Sequence, residues 1–89
     1  MARTTQEDLQ KKVDNALKQV AVGAQYTHFK DPTKLYVVES IGLLENTEEV
    51  CVSYRALYGK GILWIRTLED FFAKKEVGGK KTTRFNRVE

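Results

Sequence analysis

The apolar residues of this 89-residue chain change their period at Gly23, and that change limits the fold to a helix followed by a β-rich body. Before it, Leu9, Val13, Ala16, Leu17 and Val20 recur at spacings of four, three, one and three. These spacings place them on one stripe of a helix, with Lys11, Lys12, Asp14, Asn15 and Lys18 turned mostly to water. Thr5 can cap its start, with Asp8 three residues on in capping-box register, and Gly23 stands where a helix-ending glycine belongs. The expected organisation is an amphipathic helix over residues 1–22 packed on its own body, and a single small β-rich domain over residues 23–89. A partner helix or a second copy is the alternative cover for the stripe.

Past Gly23 the pattern is extended. Residues 25–30 form a strand candidate, ended by Asp31-Pro32-Thr33-Lys34 as a turn with proline at its second position. Residues 35–44, rich in β-branched and aromatic side chains, predict the longest strand. A polar connection over residues 45–49 leads into a strand over 50–56, and the pair reads as a hairpin. After the turn Tyr58-Gly59-Lys60-Gly61 come a strand over 62–66 and a helical turn over 68–72 capped by Thr67. A last hairpin pairs 74–77 with 80–85 around Gly78-Gly79. Five or six short strands with brief turns predict a small, strongly bent sheet or an SH3-like, partly closed barrel. The fold class is mainly β with an N-terminal helix.

A chain this short buries roughly 60–65% of the surface its unfolded form exposes, so one compact core is all it can hold. The lone cysteine, Cys51, excludes an internal disulfide; between Val50 and Val52 it reads as a buried, inert thiol in a reducing compartment. No apolar run approaches the roughly 20 residues of a membrane span and the N-terminus has no secretory core, so a cytoplasmic protein is expected. The net charge of +3 is uneven: residues 74–89 carry six basic and two acidic side chains. Such a segment either contacts an anionic partner or is a lysine-guarded edge hairpin.

Catalytic patterns are thin. His28 is the only histidine and no metal-ligand spacing accompanies it. A dyad with Cys51 is arithmetically open but leaves the thiol in the middle of a strand of valines. The glycine pairs are too short for a phosphate loop, and Glu69 and Asp70, adjacent on a helical turn, point apart. The reading leans away from an enzyme and needs no cofactor. More informative is an aromatic and basic set: Tyr26, His28, Lys30, Tyr54, Tyr58, Trp64 and Arg66. Alternation puts Val52, Tyr54 and Ala56 on one face of their strand, opposite Cys51, Ser53 and Arg55. On the next strand Ile62, Trp64 and Arg66 share a face. With Tyr54 and Trp64 on one side they form a stacking platform; the competing reading is core packing for both, and an Arg66–Glu69 ion pair.

Tyr54-Arg55-Ala56-Leu57-Tyr58-Gly59, then Leu63-Trp64-Ile65-Arg66 and Leu68-Glu69-Asp70-Phe71, resembles the signature of domain-of-unknown-function family 1653, small and mainly bacterial or phage proteins. Tyr26-Thr27-His28-Phe29-Lys30 is similar to that family's opening motif, and Arg84-Phe85 falls near its end. The resemblance covers residues 23–87. Leu44-Glu45-Asn46-Thr47 replaces the family's usual His-Ser-Glu-Thr-like run, and Thr67 and Thr83 stand where proline is usual. The resemblance implies a compact, mostly β domain and no activity, since the family has none assigned. Ala56-Leu57-Tyr58 is also similar to the opening of SH3 domains, but here it lies past the middle of the chain.

The expected role is therefore a non-enzymatic binding module for nucleic acid or a nucleotide, through the aromatic and basic surface. The alternative is a protein-interaction domain that docks through the helix stripe or a strand edge. Either fits a monomer or a weak dimer away from any membrane.

Overall fold

A computed structural model of the chain describes residues 5–88. Helix α1 spans Gln6–Gln19; the Thr5 hydroxyl accepts from the Asp8 amide at 3.1 Å, and Glu7 and Asp8 lie at its positive end. Ala16 and Val20 are fully buried, whereas Leu17 stays 45% exposed. The seam of contact thus follows Leu9, Val13, Ala16 and Val20, the i, i+3 and i+4 neighbours on one side of the stripe. The helix ends before Gly23 does its work. Val20 is extended and its N–H reaches the Ala16 carbonyl, so Gly23 is not the helix cap. Its φ of +89° instead serves the following turn, from which its N–H donates to the Val38 carbonyl at 2.8 Å.

Seven strands follow among the described residues: β1 (Gln25–His28), β2 (Asp31–Leu43), β3 (Val50–Ala56), β4 (Leu63–Thr67), then, after the helical turn α2 (Leu68–Phe71), β5 (Lys74–Val77), β6 (Lys80–Thr83) and β7 (Phe85–Arg87). β4-β3-β2-β1-β7 make one antiparallel sheet, and β5-β6 make a separate ribbon. The fold is mainly β with an N-terminal helix, as expected, and of the two expected forms the large sheet is not the SH3-like barrel: it stays open, with β4 and β7 as its two ends. Two further expectations are corrected. Residues 31–34 are not a turn outside the ladder, because β2 starts at Asp31, paired with His28. The register then jumps to Leu35 opposite Thr27, and Pro32, which has no N–H to give a ladder, sits in the bulged-out stretch. Residues 80–85 are not one strand either. The chain breaks at Arg84, whose N–H donates to the Ala73 carbonyl and whose own carbonyl accepts from Phe29, and Phe85 crosses to pair with β1.

One face of the sheet carries the core. Val20, Tyr26, Val38, Val52, Tyr54, Phe71 and Phe85 form its buried cluster, flanked by Tyr36, Ile41, Leu68 and Phe72. At its centre Phe71 and Phe85 stack with centroids 4.4 Å apart, and Tyr26, Tyr36 and Tyr54 meet them edge-on. The other face holds Cys51, Ser53 and Arg55 beside Leu63 and Ile65, and among the described residues no helix covers it. A bulge at Glu39 aims its carboxylate at Arg55, giving a bidentate pair at 2.9 and 3.0 Å. Cys51 belongs to this uncovered face, so it is half-buried rather than enclosed. Burial and the nearby Glu49 carboxylate push its thiol up, away from the reactive thiolate.

Candidate functional site

On the core side, at the end of the sheet where β1, β2, β3 and β4 converge, lies an open cleft of about 300 Å³. Its lining comes from His28, Lys30, Asp31, Lys34, Tyr36, Tyr54, Tyr58, Trp64, Arg66 and Phe85. The register explains why these side chains meet. Tyr54 pairs directly with Trp64, Val38 with Tyr54 and Tyr36 with Ala56, so the alternating even-numbered residues of β3 and β4 project to one side. The β1–β2 turn then brings His28, Lys30 and Lys34 to the same end.

Tyr54 forms the floor, 4% exposed, and Phe85 lies beneath His28 with ring centroids 5.0 Å apart. Trp64, directly opposite Tyr54 in the ladder, is 49% exposed, so the two rings expected to share a fate separate into floor and rim. The reason is position: β3 is flanked on both sides, while β4 is an edge. Among the described residues no other aromatic ring packs against Trp64. Tyr58 stands on the rim, its hydroxyl 2.5 Å from that of Tyr36 and its ring 5.1 Å from the Lys34 ammonium. Burial, and then the hydrogen bond to Tyr58, raise the Tyr36 hydroxyl well above the usual phenolic range.

Arg66 is held from two sides: Nε donates to the Tyr54 hydroxyl at 3.1 Å and Nη1 to Asp70 Oδ2 at 2.5 Å. The expected partner, Glu69, is not used; a helical start at Leu68 puts Asp70 four residues from Arg66 and turns Glu69 outward. Asp70 also receives Arg84, from Nη2 at 3.3 Å, while Arg84 Nε donates to the Asp70 carbonyl. The Arg66 hydrogen bond, with the Arg84 charge behind it, holds the Asp70 carboxyl below its usual range. His28 Nδ1 accepts from the Lys30 amide at 3.1 Å, which fixes the neutral ring with its proton on Nε2. Partial burial lowers its pKa, and the positive charges of Arg84, Arg66, Lys30 and Lys75 lower it further.

Six of the seven residues singled out in the sequence, namely His28, Lys30, Tyr54, Tyr58, Trp64 and Arg66, line this one cleft. Tyr26 does not: 2% exposed, it lies edge-on to Phe71 and Phe72 in the core. Asp31, Lys34, Tyr36 and Phe85 were not anticipated as lining. Tyr36 had a sequence signal, since it shares a face with Val38; Phe85 had none, because its arrival depends on the strand switch at Arg84. Among the described residues no group of three His, Cys, Asp or Glu side chains is placed to hold a metal, and no helix is long and apolar enough to cross a membrane.

The model of the family described as protein of unknown function DUF1653 matches residues 24–87. A crystal structure of a DUF1653 protein from Bordetella bronchiseptica is similar to this chain, with a TM-score of 0.66 and 25% identity over 79% of this chain and 90% of that one. No curated protein is significantly similar. The chain belongs to the DUF1653 family, and the family has no assigned function.

Proposed function

We propose that this DUF1653 domain is a non-enzymatic binding module whose cleft takes an anionic ligand bearing a flat ring, a nucleotide either free or within a nucleic acid strand. The observation that supports the reading is the coexistence of an unstacked, half-exposed Trp64 with Lys30, Lys34 and Arg66 around one opening, against a single lining carboxylate, Asp31. A base stacks on the Trp64 face, with the Tyr58 hydroxyl at its edge. The phosphate lies between Arg66, already oriented by Tyr54 and Asp70, and the Lys30 ammonium. Neutral His28 offers an Nε2 proton to the same phosphate.

Stacking of this kind contributes about 1–3 kcal/mol per base, so the expected affinity is modest and salt-sensitive. The test is a backbone amide NMR titration with mononucleotides, single-stranded DNA and RNA at about 50 mM and about 300 mM salt. Shifts gathered on His28, Lys30, Tyr58, Trp64 and Arg66 that weaken with salt support the module. Shifts confined to the lysines of β5 and β6 reduce it to nonspecific attraction, and no shifts at all overturn it.

A further inference from the structure

The two ends of the five-stranded sheet are finished differently. At β7 the chain entering from the neighbouring ribbon satisfies part of the edge: Thr83 Oγ1 donates to the Phe85 carbonyl at 2.7 Å, and Asn86 Nδ2 donates to the Thr83 carbonyl at 3.2 Å. The ribbon itself carries Lys74, Lys75, Lys80 and Lys81, the usual guard against edge-to-edge pairing. β4 has no such protection. It reads Leu63-Trp64-Ile65-Arg66-Thr67, with no lysine, proline or bulge, and its only charge is already held by Tyr54 and Asp70. Leu63, Trp64 and Ile65 are 41%, 49% and 66% exposed.

The hydrogen-bond register identifies which groups face outward. Ala56 N–H donates to the Ile62 carbonyl, so in this antiparallel ladder residues 62, 64 and 66 point their main-chain groups at β3. Those of Leu63 and Ile65, and the Thr67 N–H, therefore point away from the sheet. From this we infer that β4 is a homodimerisation strand: two copies of the chain pair β4 to β4, antiparallel, about a two-fold axis through Ile65. In that register each Ile65 exchanges main-chain hydrogen bonds with its counterpart, and each Thr67 N–H meets the partner's Leu63 carbonyl, roughly four bonds in all.

The side chains fit the same axis. On the uncovered face the two Ile65 side chains meet and bury what each alone exposes to water. On the cleft face Arg66 falls opposite the partner's Trp64 in a close, non-hydrogen-bonded pair, within reach of a cation–π contact. A strand from an unrelated protein satisfies the backbone but lacks this reciprocity, which selects a second copy as the occupant. The pairing is independent of any ligand, yet it brings two clefts together across the axis, since Trp64 and Arg66 line each.

Sedimentation velocity of the full chain between roughly 10 µM and 1 mM should show a reversible monomer–dimer equilibrium. Ile65→Lys and Ile65→Glu, at an exposed position, should each weaken it about tenfold or more by setting like charges face to face. An equimolar mixture of the two variants should restore association, because only a two-fold axis at this residue opposes them. Ile65→Pro, which removes an outward N–H and no bond to β3, should also dissociate the dimer with circular dichroism unchanged. Val77→Lys, on the ribbon, should leave it intact. A chain that stays monomeric at roughly 1 mM, or dimers unaffected by all three Ile65 variants, would overturn the inference.

Discussion

Arg66 shows how one side chain joins stability to the cleft. Its Nε has the Tyr54 hydroxyl as acceptor, so Tyr54→Phe keeps the ring packing and removes only that tether. Because Arg66 is partly exposed, water replaces some of the loss, and a cost of about 1 kcal/mol in chemical denaturation is expected, with a larger proportional loss of ligand affinity. Trp64→Ala removes a half-exposed ring, so it should leave the melting temperature nearly unchanged while weakening ligand binding about tenfold. His28 has its pKa lowered in the folded chain, so the unfolded chain binds the proton more tightly. Its contribution to stability is therefore complete above the ordinary value of 6.5 and declines as pH falls below it. The surrounding cations make the corollary specific: a phosphate in the cleft should raise the His28 pKa, readable in its ring-proton shifts with and without ligand. The residues of the site were legible where period-2 alternation decides which way a side chain points, as for Tyr54, Trp64 and Arg66. They were not where burial depends on a neighbour: Tyr54 and Trp64 look alike in sequence, and only the flanking of β3 against the free edge of β4 separates them.

At the scale of elements, the helix stripe, the β2–β3 hairpin and the Thr67-capped turn were all written locally, in spacing, capping side chains and polar breaks. The strand switch at Arg84 was not, because nothing in Lys80 to Phe85 interrupts an extended pattern. It is imposed by main-chain bonds to Ala73 and Phe29 and by the guanidinium on the Asp70 carbonyl, all distant in sequence. Phe85 is the product of that switch, stacked on Phe71 and touching His28, Tyr36 and Tyr54. Phe85→Ala should cost about 3–5 kcal/mol in urea unfolding, a large share of the roughly 5–15 kcal/mol that holds a domain together. Asp70→Asn should act on two elements together, loosening Arg66, which keeps only the Tyr54 hydroxyl, and Arg84, which keeps only the Asp70 main-chain carbonyl. The same linkage has a pH signature. Asp70 is depressed in the folded chain, so its contribution is present above the ordinary carboxylate range and disappears as pH falls through the folded value. The Asn variant should flatten that acid limb of the stability curve.

Across the whole molecule, asymmetry is the organising property. One face of the sheet is covered and the other bare, one edge is guarded by a lysine ribbon and the other open, and the cleft lies where the covered face meets the open edge. Patterning revealed the mainly β class and left an open bent sheet and a partly closed barrel as alternatives, because closing or not closing is decided by which strands are left to pair at the ends. One of the features placed by this asymmetry gives the protein its own optical reporter. The chain has a single tryptophan and four tyrosines, and the indole stands opposite Tyr54 at the mouth of the cleft. Light absorbed by the phenols is therefore handed to one emitter whose surroundings change when the cleft fills or β4 is covered. Its emission should move to shorter wavelength in either event and lose its tyrosine-sensitised component when the chain unfolds, so occupancy, assembly and folding can each be followed without a label.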